Sequence, residues 1–280
     1  WDAIIWYYIH INHIMILDHQ RSLMHRVFVE NGTNMNNLRP TSRRLKSIVT
    51  GGAGALGNSI ISALLQRGDQ VACLDLNPAQ RSDVPYFHVN VADGASVRAA
   101  FEQATCALDG LDVLIHAAGV MRTSPFLDLD EIEFEELLAV NLLGAFRVAQ
   151  TASKLMLENG GRIVLVTSIH GQIGVHGRCA YAASKGGVAS MARVMAAELS
   201  HSRIRVNVLA PGAVDGGMLP DPNARQGWVK ATPSNRVAYL EEVAGVATML
   251  TSEGASFVNG QVIAVDGGVT SDTSFIDHSM

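Results

Sequence analysis

The chain has 280 residues, 48% hydrophobic and 17% charged, which excludes a disordered polymer and leaves room for one large α/β domain or two smaller ones. A formal charge of −5 excludes the broad basic field that nucleic acid or an anionic lipid surface would require. The three cysteines, Cys73, Cys106 and Cys179, have no CxxC spacing; they read as small buried thiols of a reducing, cytoplasmic compartment rather than as a disulfide framework or zinc site.

Residues 1–45 differ in composition from the rest of the chain. Five Arg face Asp2, Asp18 and Glu30, a balance of +2, and the remaining 46–280 carry −7. The apolar stretch Ala3–Leu17 is broken by His10, Asn12 and His13 and is too short to span a bilayer, which needs roughly 20 apolar residues. It has no basic start and no small-residue cleavage site, so it is a poor secretory signal. The expectation is an appended or poorly ordered extension, with a natural start at Met35; the other reading is an oligomer-contact arm or a membrane-surface segment. His10 and His13 have no third ligand nearby, so no metal site is expected.

From Lys46 the pattern alternates. Apolar runs at Lys46–Thr50, Gln70–Asp75, Tyr86–Val89, Asp112–His116, Arg162–Ser168, Ile204–Leu209 and Val262–Val265 read as strands. Helical periodicity covers Asn58–Arg67, Glu131–Glu158 and Ala182–Ser200. Strands apolar on both faces and separated by helices predict a parallel sheet covered on both sides, a doubly wound Rossmann-type domain over 46–280. Ligands of such sheets sit beyond the carboxyl ends of the strands.

Between the first strand and the first helix lies Thr50-Gly51-Gly52-Ala53-Gly54-Ala55-Leu56-Gly57, in which Gly52, Gly54 and Gly57 satisfy G-x-G-x-x-G. Such a turn lets the backbone approach a pyrophosphate, which rests on helix N–H groups. Asp75 ends the second strand, 18 residues beyond Gly57. A carboxylate there accepts hydrogen bonds from ribose hydroxyls and repels a 2′-phosphate, and Leu76 and Asn77 offer no cation to hold one. NAD is therefore expected over NADP.

Tyr181-Ala-Ala-Ser-Lys185 opens the second long helix, and positions i and i+4 share a helical face. An ammonium near a phenol favours phenolate, so Tyr181 is a candidate proton carrier for an alcohol or carbonyl oxygen. Ser168 ends a strand 13 residues earlier, where its hydroxyl could bind the same oxygen. Asn141 is a polar residue in an apolar helix and needs partners if buried, such as a water linked to Lys185.

Taken together, TGGAGALG (50–57), Asp75, NVAD (90–93), HAAG (116–119), Asn141, Ser168, YAASK (181–185), RVNVLAPGAV (205–214) and NGQVIAVDGG (259–268) make residues 46–270 resemble the classical, single-domain short-chain dehydrogenase/reductases. The resemblance implies a tetrad of Asn141, Ser168, Tyr181 and Lys185. In it Tyr181 is the acid/base, Ser168 orients the substrate oxygen, Lys185 lowers the tyrosine pKa and binds the nicotinamide ribose, and Asn141 holds a proton-relay water. Further cofactor contacts are implied at Gly51, Ala53, Gly54, Ala55, Leu56, Gly57, Leu76, Asn90 and Val91. Others are implied at His116, Ala117, Ala118, Gly119, Pro211, Gly212 and Val214. The sequence departs from the pattern at Ala55, where Gly is usual, at His116, where Asn is usual, and at Gly216, where Thr is common. The substitution at His116 requires the hydrogen bonding around the central strand to be rearranged.

By the same resemblance the substrate pocket includes His170, Gln172, His176, Met121 and the segment 216–231, whose Met218, Leu219 and Trp228 suggest an apolar lid over a compact substrate. The expected activity is hydride transfer between NAD(H) and a secondary alcohol or ketone. The alternatives are reduction of a 3-oxoacyl thioester and a catalytically silent NAD-binding regulator. The family implies a homotetramer, with the tail 269–280 at an interface.

Overall fold

The structure, a computed structural model, describes residues 43–216 and 222–272. The expected extension therefore lies outside the described residues up to position 42, as do Met218, Leu219 and 273–280 of the tail.

Seven short runs form the strands: β1 (Lys46–Thr50), β2 (Gln70–Asp75), β3 (Tyr86–His88), β4 (Val113–His116), β5 (Gly161–Val166), β6 (Ile204–Pro211) and β7 (Val262–Val265). They pair in the order β3-β2-β1-β4-β5-β6-β7, every neighbour parallel, as the apolar runs predict. The strand order reverses between β1 and β4, opening a crevice beyond their carboxyl ends.

Alternate residues of each strand feed opposite layers, because strand side chains have a period of two. Ile48, Leu74, Leu114 and Val206 face one side, where α2 (Gly94–Leu108), α4 (Gly144–Met156) and α5 (Cys179–Leu199) contribute Phe101, Val148 and Ala192. Val49, Cys73, Ile115 and Leu209 face the other, against α1 (Ala55–Arg67) and α7 (Leu240–Leu250) through Ile60, Leu64, Val243 and Ala247. A short α3 (Glu131–Leu138) lies in sequence before α4, and α6 (Pro222–Ala231) lies between β6 and α7.

Several elements differ from expectation for identifiable reasons. The helix predicted over 131–158 is divided: Ala139–Leu143 forms a π-helical turn, with the Gly144 N–H reaching back to the Ala139 carbonyl. Such bulges re-aim a side chain and concentrate at functional sites; here the wide turn carries Asn141. Helix α5 begins at Cys179 rather than Ala182, so Tyr181 lies within its first turn. Helices α2, α6 and α7 were not expected from periodicity. For α2 the signal is Asp93, whose carboxylate caps the Ala95 and Ser96 N–H groups, followed by buried Val97, Ala100, Phe101, Ala104 and Leu108. The thiols are free, but only Cys73 is buried; Cys106 is exposed on α2 and Cys179 is half-buried, correcting the expectation that all three are interior.

Candidate active site

The turn after β1 closes so tightly that side chains are excluded. Gly51 has φ +74° and a Cβ there would lie 2.4 Å from the Ala118 nitrogen; a Cβ on Gly57 would lie 2.0 Å from the Gly51 carbonyl oxygen. Gly54 caps α1 without any side-chain hydrogen bond, so the first N–H groups of the helix have no side-chain acceptor. The Ala53 N–H donates to Asp75 Oδ2 at 3.0 Å and the Asn77 N–H to Oδ1 at 2.9 Å, fixing that carboxylate beside the turn.

A cleft of about 610 Å³ runs from Asp75 and Asn90, across the glycine turn, to Tyr181 and Pro211. All the residues expected to touch a cofactor line it except His116. Gly52, part of the glycine spacing, lies beneath the turn instead, against Cys73. The His116 ring is buried in the sheet, sharing a 2.7 Å hydrogen bond between its Nδ1 and Thr50 Oγ1 across the β1–β4 register, while Nε2 has no partner. Burial, with the Lys185 charge adding to it, pushes the His116 imidazole down to about 3.

Ser168, Tyr181 and Lys185 meet at one end of this cleft. Ser168 follows β5 in extended backbone and caps a 3-10 turn, Ile169–Gly171; its Oγ accepts from the His170 N–H at 3.2 Å and donates to the Pro211 carbonyl at 3.5 Å. Lys185 Nζ donates to the Val166 carbonyl at 3.2 Å and lies 5.6 Å from the centre of the Tyr181 ring. Burial pushes the Lys185 amine down to about 8. Burial also holds the Tyr181 hydroxyl above its ordinary value, opposed by the Ser168 hydroxyl and the Arg178 charge. Burial thus favours the protonated phenol in the protein by itself. Burial likewise discourages Lys185 from carrying charge.

Asn141 is 1% exposed and is not in the cleft wall. Its amide clamps the main chain of Val120, accepting from the N–H and donating to the carbonyl, both at 2.8 Å, and reaches Ser184 Oγ at 3.2 Å. Ser184 and Val120 were not singled out from sequence; Ser184 sits inside the YAASK run.

Of the expected pocket residues, His170, Met121, Gly216 and Trp228 line the cleft, whereas Gln172 and His176 lie outside it. The His170 ring stacks on Trp228, with centres 5.6 Å apart and 27° between planes, and meets Tyr181 edge-on at 5.7 Å. Burial, then the Arg178 charge, holds the His170 imidazole down to about 4, so it is neutral at physiological pH. Arg178 also lines the cleft and was not anticipated; the signal was its place three residues, one helical turn, before Tyr181. Among the described residues no cluster of three metal-ligating side chains occurs, and no helix is long and apolar enough to cross a membrane.

A family model described as enoyl-(acyl carrier protein) reductase matches residues 51–270. The chain is 37% identical to the 3-oxoacyl-[acyl-carrier-protein] reductase MabA of Mycobacterium tuberculosis over 79% of its length and 91% of the relative's. It is 34% identical to the D-threitol dehydrogenase of Mycolicibacterium smegmatis over 80% of this chain and 92% of that one. Among solved structures, a gluconate 5-dehydrogenase from Burkholderia cenocepacia in complex with NADP and tartrate superposes with a TM-score of 0.78 at 29% identity, covering 84% of this chain and 97% of that one. The parallel order of the sheet, the glycine turn at its crevice and these matches agree: the chain belongs to the short-chain dehydrogenase/reductase family of oxidoreductases, which bind a nicotinamide cofactor.

Proposed function

We propose that the protein interconverts a secondary alcohol and a ketone with NAD(H), using Ser168, Tyr181 and Lys185. The observation that carries this is the convergence of these three side chains, from the turn after β5 and from α5, at the end of the cleft remote from Asp75.

The residues present suit a dinucleotide. The uncapped N–H groups of α1 would receive the pyrophosphate, over a turn whose glycines leave no Cβ in the way. Asp75 would accept from the adenosine ribose hydroxyls. Leu76, Asn77, Pro78 and Gln80 complete that end of the cleft, and none of them carries a cation for a 2′-phosphate. This favours NAD over NADP, although the gluconate 5-dehydrogenase is in complex with NADP. Asn90 and Val91 would border the adenine, and Pro211, Gly212 and Val214 the nicotinamide.

When bound, the nicotinamide supplies or accepts a hydride, and with it two electrons, at the substrate carbon. The chain's own task is the oxygen and its proton. In reduction, Tyr181 donates its hydroxyl proton to the oxygen that becomes the alcohol; in oxidation it takes that proton back. At neutral pH its hydroxyl holds the proton that reduction requires, and burial raises the pKa further. Ser168 Oγ donates to the same oxygen as negative charge develops there. Among the described residues Lys185 gives the only ammonium in the cleft wall, available to the ribose hydroxyls and to the phenolate left after proton transfer. Asn141 fixes Val120, within the segment 117–121 that follows β4 and lines the cleft.

Replacing Tyr181 by Phe is expected to lower kcat by roughly 10²–10⁴, the usual share of general acid–base catalysis, with NADH binding retained. Turnover near wild type in Y181F would refute the assignment. A second reading, reduction of a 3-oxoacyl thioester, is favoured by the name of the MabA relative. It uses the same groups on a longer substrate, and comparing acyl thioesters with small ketones separates the two.

A further inference from the structure

Arg178 stands at the amino end of α5, one turn before Tyr181, and lines the same cleft. Its Nη1 donates to the Arg122 carbonyl at 3.1 Å and to Thr123 Oγ1, which fixes the guanidinium against the 122–123 segment. Nη2 and Nε have no protein acceptor among the described residues. Eight of the described basic side chains pair with a carboxylate; Arg178 is among those that do not, and with Lys185 it is one of two that line the cleft.

The surroundings make this unpaired cation more telling. Among the described residues the only carboxylate in the cleft wall is Asp75, at the end of β2, on the far side of the glycine turn. Near Arg178 the wall is aromatic: His170 is stacked on Trp228 and edge-on to Tyr181. A neutral ligand would leave Nη2 and Nε of this guanidinium with solvent alone as partner. A carboxylate would use two of its N–H groups in the side-by-side geometry that guanidinium favours.

We propose that the substrate is a small hydroxy or oxo acid whose carboxylate is received by Arg178, so that its carbinol or carbonyl carbon comes to Ser168 and Tyr181. The proposal rests on the alcohol–ketone reading and narrows it to anionic substrates. Arg178 then determines specificity and takes no part in proton transfer. The stacked His170 and Trp228, beside Tyr181 in the same wall, bound the space left for the rest of the substrate.

The test uses straight-chain C4–C6 2-, 3- and 4-oxo acids, each beside its own methyl ester, as substrates with NADH. The same compounds are titrated calorimetrically into the NAD⁺-loaded protein, where no reduction occurs. Wild type is expected to prefer at least one acid over its ester by about 10- to 100-fold in kcat/KM, the range of a charge-assisted hydrogen bond. In R178M that preference should vanish through KM of the acid, with the ester changed by less than about 3-fold, and R178K should recover part of it. Equal treatment of every acid and ester by wild type would overturn the proposal. So would an R178M variant that loses acid and ester alike, the result if Arg178 only ties down residues 122–123. If none of the compounds is reduced, the alcohol–ketone reading fails, and the calorimetry still decides whether an anion site exists: tighter binding of an acid than its ester, lost in R178M, supports it, and no difference refutes it.

Discussion

Lys185 lies 5% exposed with its ammonium directed at a single carbonyl, so it carries a cost that can be measured. Burial lowers its pKa from the ordinary 10.5 to about 8, equivalent to about 3 kcal/mol at roughly 1.36 kcal/mol per pH unit. Between these values the unfolded chain binds a proton that the folded chain has released, so the lysine's contribution makes stability rise with pH from about 8 to 10.5 and level off above. Below pH 8 the full cost is present. The variant K185M keeps the length of the side chain and removes the charge. It also leaves the Val166 carbonyl without its donor, at a cost of about 1–2 kcal/mol. At pH 7 the variant should therefore be more stable by about 1–2 kcal/mol, or roughly 2–8 °C in Tm for a domain of this size. Urea melts of both proteins at pH 7, 8, 9 and 10.5 should show the wild type gaining about 3 kcal/mol on the variant across the series. Turnover should be lost throughout, a trade of stability for function. Parallel pH curves for the two proteins, or a variant less stable than wild type at pH 7, would refute the claim that burial holds this lysine down.

Other outcomes rest on single contacts. The Cβ of G57A would fall 2.0 Å from the Gly51 oxygen, and the turn must open; folding stability should drop by about 1–3 kcal/mol and NADH affinity by at least about 10-fold, read by nicotinamide fluorescence. His116, ordinarily near 6.5 and held at about 3, is stable only when neutral, so acid weakens the fold as pH falls through this range, by up to about 4–5 kcal/mol. H116N should melt with a flatter acid limb in calorimetry, and an unchanged limb would exclude His116 as its source. Replacing Asp75 by Ser should raise kcat/KM for NADPH relative to NADH by about 10-fold or more; an unchanged ratio would remove the carboxylate from cofactor choice.

The linear chain carried the architecture. Apolar runs of four to eight residues at Lys46–Thr50 and Ile204–Leu209 have the hydrophobicity of strands buried on both faces, and a parallel sheet is the arrangement that buries both. The glycine turn was equally legible, because its spacing is a steric requirement: a Cβ at Gly57 has nowhere to go. The YAASK spacing correctly set Tyr181 and Lys185 on one helical face, since four residues make a helical turn. The protonation of that pair could not be read from spacing. It depends on how much water the two groups lose, and their burial is completed by segments distant in sequence, such as Val166, whose carbonyl accepts from the Lys185 amine. For the same reason the π turn that carries Asn141 was hidden within an unbroken helical periodicity: the bond that fixes it runs to Val120, 21 residues away in sequence. Arg178 became visible as a cation of the site only once the tertiary structure had brought the start of α5 to the cleft and left it without a carboxylate partner there.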